Sequence, residues 1–223
     1  MNIDRKEVLR YLGYKNQSID EVMEKLIDEA MIEIKEIMRR NYVYNIYDIE
    51  NQSEKVILKN TNIIFQSKSL GEHLHNSDRC ALMAATLGIE VDKRIQYYSR
   101  INLTKAIVMD ACATAAIEAL CDKVQENMRE MAQREGYNIT SRYSPGYGDL
   151  SITNQKVIIE VLRAYTRIGL SVNNNYVMIP RKSVTALIGF QRGEENIVKC
   201  KCSRCEEKNC MYRKCGVANE SEC

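Results

Sequence analysis

Arg142, Ser144, Gly146 and Tyr147 stand within Arg142-Tyr143-Ser144-Pro145-Gly146-Tyr147, a stretch that continues into Gly148 and Asp149 and holds one of the chain's two prolines and two of its ten glycines. Pro145 locks its own φ and drives Ser144 into extended backbone, while Gly146 and Gly148 admit angles and close approaches that a β-carbon blocks. Backbone amides and carbonyls are thereby left open to a ligand. Arg142 adds a planar, permanently charged fork suited to a carboxylate or phosphate, and Tyr147 an aromatic face with a polar tip. The chemistry suggested is recognition of an anion joined to a ring. The plainer alternative is a surface turn with an incidental ion pair.

A second group is a set of thiols. Six of the nine cysteines lie in the last 24 residues, and Cys202, Cys205, Cys210 and Cys215 are spaced so that four thiolates could converge on one centre. Zinc would make a closed structural knot there and an iron-sulfur cluster could relay an electron; the spacing does not separate the two. A reduced tail without a metal is the alternative. His73 and His75, the only histidines, sit two positions apart and share no helix face, so a surface role is expected of them rather than a ligand role. With no nucleophile and base to pair, acyl-transfer and hydrolytic chemistry are set aside.

These groups need a scaffold, and its pieces are legible in the periodicity. Residues 4 to 12 predict a short helix ended by Gly13. A second helix is expected from Ser18, with a capping-box spacing to Glu21, to about Arg40. Tyr42 to Ile49, Lys55 to Leu58 and Ile63 to Phe65 read as antiparallel strands, and Cys80 to Leu87 as a buried strand. Helices follow at Leu70 to Leu74, Val91 to Arg100 and, longest of all, Leu103 to Arg134 behind an Asn102 cap. That last helix carries the small-sided run Ala111 to Ala116 and then Glu118, one turn from Thr114 and from Asp122. A carboxylate there must reach water, a cationic ligand or an Arg or Lys partner. Asn154 to Gly169 predicts one amphipathic helix. Tyr176 to Pro180 and Ser183 to Phe190 predict strands, with a turn at Gln191 to Glu195 and a returning strand at Ile197 to Lys201.

The expected architecture is α+β, with an antiparallel or mixed sheet, a long central helix and a Cys-rich C-terminal tail. One domain over 1–198 with an appendage at 199–223 is expected of this length. The 32 basic and 30 acidic residues are mixed along the chain, which argues against a dedicated nucleic-acid binder. No apolar run approaches the roughly 18 residues of a membrane span, and no signal-like segment opens the chain, so a cytoplasmic protein with reduced thiols is expected.

The Arg142 to Tyr147 pattern resembles the S-adenosylmethionine-binding loop in the activation domain of cobalamin-dependent methionine synthase. The opening Ile3 to Tyr14, the central Ala85-Thr86-Leu87-Gly88 and the late Ile179-Pro180-Arg181-Lys182-Ser183-Val184-Thr185-Ala186-Leu187 resemble it too, in the family's order. The resemblance implies a stand-alone activation subunit that supports reductive methylation of oxidised cob(II)alamin. Arg142 would grip the methyl donor's carboxylate, backbone around Ser144 would meet the adenosyl part, and Gly146 and Tyr147 would face the corrin. Asp4 and Glu118 are its further donor-binding candidates, Thr114 lying nearest the family's helix carboxylate. The implied cofactors are S-adenosylmethionine and a partner-borne cobalamin; the implied partners are a corrinoid-binding methionine synthase subunit and an electron donor such as flavodoxin or ferredoxin. The cysteine tail is where the sequence departs furthest from the pattern. A reading of another class, an electron-delivery or interaction protein acting through that tail, stands beside the first.

Overall fold

A computed structural model describes residues 2–14 and 17–192. Its backbone is built on ten- and eleven-residue strands that run through the middle of a six-stranded sheet. In chain order the elements are α1 (Arg5–Tyr11), α2 (Glu21–Ile37), β1 (Asn41–Asn51), β2 (Lys55–Leu58), β3 (Ile64–Gln66), α3 (Lys68–His73), β4 (Ser77–Thr86) and α4 (Ile89–Ile101). There follow α5 (Leu103–Arg134), β5 (Tyr137–Ile139), α6 (Asn154–Val161), α7 (Ala164–Ile168), β6 (Ser171–Val172), β7 (Met178–Ile179) and β8 (Ser183–Arg192).

The sheet order is β3-β2-β1-β4-β8-β5, every neighbouring pair antiparallel, and β6 and β7 form a separate ribbon. β4 is central, and its continuous apolar run has a direct cause. Successive strand residues face opposite sides. Ala81, Met83 and Ala85 join a core with α2 and α5, while Cys80, Leu82 and Ala84 join a second core with α6 and α7. A strand covered on both faces has no polar side to show. The same logic selects the alanines of α5: Ala111, Ala113, Ala115 and Ala116 are all buried, so neighbouring backbone comes close around most of the helix.

Several boundaries differ from expectation. Asp20, not Ser18, caps α2; its carboxylate accepts from Met23 N at 2.7 Å, and a charged acceptor suits a helix N-terminus better than a hydroxyl. That helix stops at Ile37 because Met38 turns extended and Arg39 N donates to Leu87 O. The single helix expected over Asn154 to Gly169 is two. Leu162 and Ala164 are both fully buried, yet two residues apart they would face nearly opposite sides of one straight helix. A left-handed Arg163, φ 50°, turns both inward. β5 and β6 were not anticipated, and the strand expected from Tyr176 begins at Met178 because Tyr176 itself has φ 58°. β8 runs through Arg192, beyond the Gln191 where a turn was expected. The rest of that turn, the returning strand at 197–201 and the cysteine tail lie outside the described residues.

Cys80, Cys112 and Cys121 are buried and not in disulfides, and burial pushes the first two up to about 12, which keeps them protonated and inert. Among the described residues no helix is long and apolar enough to cross a membrane.

Candidate functional site

One face of α5 supplies the floor. Asp110, Thr114, Glu118 and Asp122 recur every fourth residue, so each step drifts only about 40° round the helix and the four form a polar row. A cation held to the row stands at each end. Lys182, from the segment leading into β8, lies 2.9 Å from Asp110 and donates to Thr114 Oγ1 at 2.8 Å. Arg142 donates to Asp122 at 2.8 Å, to Glu118 at 3.1 Å and to Gln125 Oε1 at 3.0 Å. Its side chain is only 11% exposed, whereas Glu118 and Asp122 remain 40% and 66% exposed. Burial works against the charge on Arg142, but Cys121, Asp122 and Glu118 outweigh it and raise its pKa.

Two tyrosines border this pair. Burial, reinforced by the Glu118 carboxylate, raises both the Tyr147 and the Tyr11 phenol, which places Glu118 within electrostatic reach of the 142–149 turn and of the α1 C-terminus. Arg10 lies over the Tyr11 ring at 4.2 Å. Tyr147 is half exposed. Beside the first half of the row a cavity of about 510 Å³ opens between α1, α4 and α5, lined by Tyr11, Ile95, Ile107, Asp110 and Thr114 among others. That volume lies within the roughly 300–1,000 Å³ of small-molecule sites.

The turn that presents Arg142 and Tyr147 is fastened from three sides. Tyr143 exchanges backbone hydrogen bonds with Leu187 of β8, at 2.9 and 2.8 Å. Inside the turn Tyr147 N donates to Ser144 O and Gly146 N to Leu150 O, with Pro145 buried beneath and Gly146 at φ 95°. The third fastening is a carboxylate. Asp149 accepts from Ser67 Oγ, Lys68 N and Ser69 N at 2.5, 2.9 and 3.1 Å, joining the turn to the start of α3. The Ser67 hydroxyl first, then the two amides, hold the Asp149 carboxyl down at about 2. Gly148 is required here: at φ 51°, an added Cβ would lie 2.5 Å from Tyr143 Oη and 2.7 Å from Ser69 Oγ. His73 also reaches the turn's approach, its Nε2 lying 2.8 Å from Ser141 O and its ring 5.0 Å from that of Tyr143.

Of the residues picked out in the sequence, Glu118, Arg142 and Tyr147 come together, and Ser144 and Gly146 lie in the same turn. Glu118 has found the arginine partner foreseen as one of its three outcomes. Asp4 stands apart, at the end of α1 opposite Tyr11, where it caps the helix through Lys6 N at 2.9 Å. Lys182 and Asp110 were not picked out as site residues. The fourfold spacing of Asp110 with Thr114, Glu118 and Asp122 was a signal; nothing local ties Lys182 to them. Cys202, Cys205, Cys210 and Cys215 lie outside the described residues, and among the described residues no group of three or more His, Cys, Asp or Glu is arranged to hold a metal.

An antiparallel sheet crossed by one long helix, with a clasped Pro-Gly turn that presents an arginine to that helix, defines an α+β domain. The family model for the vitamin B12 dependent methionine synthase activation domain matches residues 14–206, and the chain belongs to that family. Among solved structures it is similar to the MetH reactivation domain bound to AdoHcy, with a TM-score of 0.65 and 16% identity over 86% of this chain and 75% of that one. No curated protein matches at the level of sequence.

Proposed function

We propose that the chain binds S-adenosylmethionine between α5 and the 142–149 turn and supports reductive methylation of cob(II)alamin on a corrinoid-binding methionine synthase partner. The observation that carries this is Arg142, nearly buried, charge-paired to Glu118 and Asp122 and flanked by a half-exposed Tyr147. The amino-acid end of the methyl donor is a zwitterion. Its carboxylate matches Arg142 and its ammonium matches Glu118, so the ligand replaces part of the internal pair charge for charge and strands no buried cation. Ser144 contributes backbone to the adenosyl part. Gly146 and Tyr147, both exposed, face the side from which a partner's corrin approaches. Asp4 acts on this reading through α1, whose other end carries Tyr11. The solved relative supports the ligand class, since AdoHcy carries the same amino-acid and adenosyl ends.

The partner's corrinoid supplies the nucleophile for the methyl group, and a reductant such as flavodoxin or ferredoxin supplies one electron. This chain's share is orientation: holding the sulfonium methyl in line is worth several orders of magnitude without any acid-base group. The tail cysteines Cys202, Cys205, Cys210 and Cys215 have spacing that supports zinc or an iron-sulfur cluster, and metal analysis after anaerobic purification distinguishes these from a metal-free tail. Calorimetric titration with S-adenosylmethionine tests the main reading. Wild type binds, Arg142→Ala loses about tenfold or more in affinity, and Glu118→Gln loses less. Equal affinity of Arg142→Ala and wild type overturns it.

A further inference from the structure

α5 presents a second recess on another side. Leu120, Lys123, Val124 and Asn127 stand at i, i+3, i+4 and i+7, a single helical stripe turned roughly 150° from the centre of the polar row. With Arg40 and Tyr42, at the start of β1, they line a cavity of about 340 Å³. Leu120 and Val124 are buried and give it an apolar floor, while Tyr42, 43% exposed, leaves its ring open to solvent. Both charged groups in the lining are cations. The acids nearest Lys123 along the helix are already engaged, Asp122 with Arg142 and Glu126 with Arg129, and neither Lys123 nor Arg40 has an ion-pair partner among the described residues.

We infer that this recess between β1 and α5 binds a small organic anion: a planar ring on the apolar floor beside Tyr42, with a phosphate or carboxylate between Arg40 and Lys123. The elements each supply one part of that recognition. An aromatic face and an apolar floor accept a ring, two unneutralised cations accept the acidic group, and the Asn127 amide adds donors at the rim. The site is separate from the proposed methyl-donor site, because its α5 residues and those of the Arg142 cluster lie on different sides of the helix.

Phenyl phosphate is the probe, since it carries the ring and the charge without an adenosyl group. Chemical-shift perturbation and calorimetry on the whole chain are expected to show saturable binding centred on Tyr42, Lys123 and Asn127. Inorganic phosphate and phenol are each expected to bind at least about tenfold more weakly. Arg40→Ala and Lys123→Ala each weaken phenyl phosphate about tenfold or more, while Arg142→Ala leaves it unchanged. Arg40 and Lys123 are exposed, so both variants retain the fold, which circular dichroism verifies. Absence of saturation, inorganic phosphate binding as tightly as phenyl phosphate, or affinity indifferent to both Arg40→Ala and Lys123→Ala overturns the inference.

Discussion

Two cations lean on one row of α5, one from the segment leading into β8 and one from the 142–149 turn. Lys182 and Arg142 are similarly buried, 15% and 11% exposed, and each is held by two groups of the row. Lys182 ties its end to the sheet: its Nζ meets Asp110 and Thr114, which also line the cavity between α1, α4 and α5, and its own carbonyl accepts from Leu87 N. Arg142 brings a fork rather than a point charge and sits at a turn with an exposed tyrosine, while the carboxylates at both ends stay open to water. The same charge thus does two jobs. At one end it ties the lead into β8 to the central helix; at the other it ties the 142–149 turn to that helix and, on the function proposed for it, holds Arg142 charged and oriented before a ligand arrives.

The sharpest way to break this contrast is to keep the charges and change their shape. Arg142→Lys preserves the ion pair but loses the bidentate fork, and titration with S-adenosylmethionine should show a loss of about 1.5–3 kcal/mol. Lys182→Arg should leave that affinity unaltered. Next in size is Gly148→Ala, which forces a β-carbon against Tyr143 and Ser69. Urea denaturation should report a loss of about 1–3 kcal/mol, with weaker donor binding because the turn moves. Lys182→Met should cost about 1 kcal/mol in the same assay and leave donor binding within about twofold.

The clasp at Asp149 gives the smallest effect and a definite pH signature. Its folded value, about 2, lies below the ordinary 3.8, so its contribution is complete above that ordinary value and disappears as pH falls toward 2. The difference in urea midpoint between wild type and Asp149→Asn should therefore be constant from neutral pH down to about 4 and shrink below it. A difference that grows on acidification would contradict the assignment.

Much of this arrangement is written locally in the chain. α5 runs from Leu103 to Arg134 behind Asn102, as its periodicity and cap predict, because a long apolar stripe and an Asx acceptor act within one element. β4 was legible from an unbroken apolar run. β5 was not: Tyr137 to Ile139 is a strand because β8 pairs with it, and three residues carry too little pattern to announce that. The break at Arg163 answers to the core under α6 and α7, which Leu162 and Ala164 must both enter. At the site, the residue types of the 142–149 turn were informative, but its supports were not. Ser67 to Ser69 are about eighty positions away, and Lys182 reaches Asp110 only once β8 has joined the sheet. Residue type marks out a candidate site locally; the groups that hold it in place come together only in the tertiary fold.

A crystal structure of the chain with S-adenosylhomocysteine would test the central claim most directly. The account predicts the ligand's carboxylate within hydrogen-bond distance of the Arg142 guanidinium, its ammonium facing Glu118, and its adenosyl group along Ser144 to Tyr147. A ligand bound elsewhere, with Arg142 still closed on Glu118 and Asp122, would contradict it.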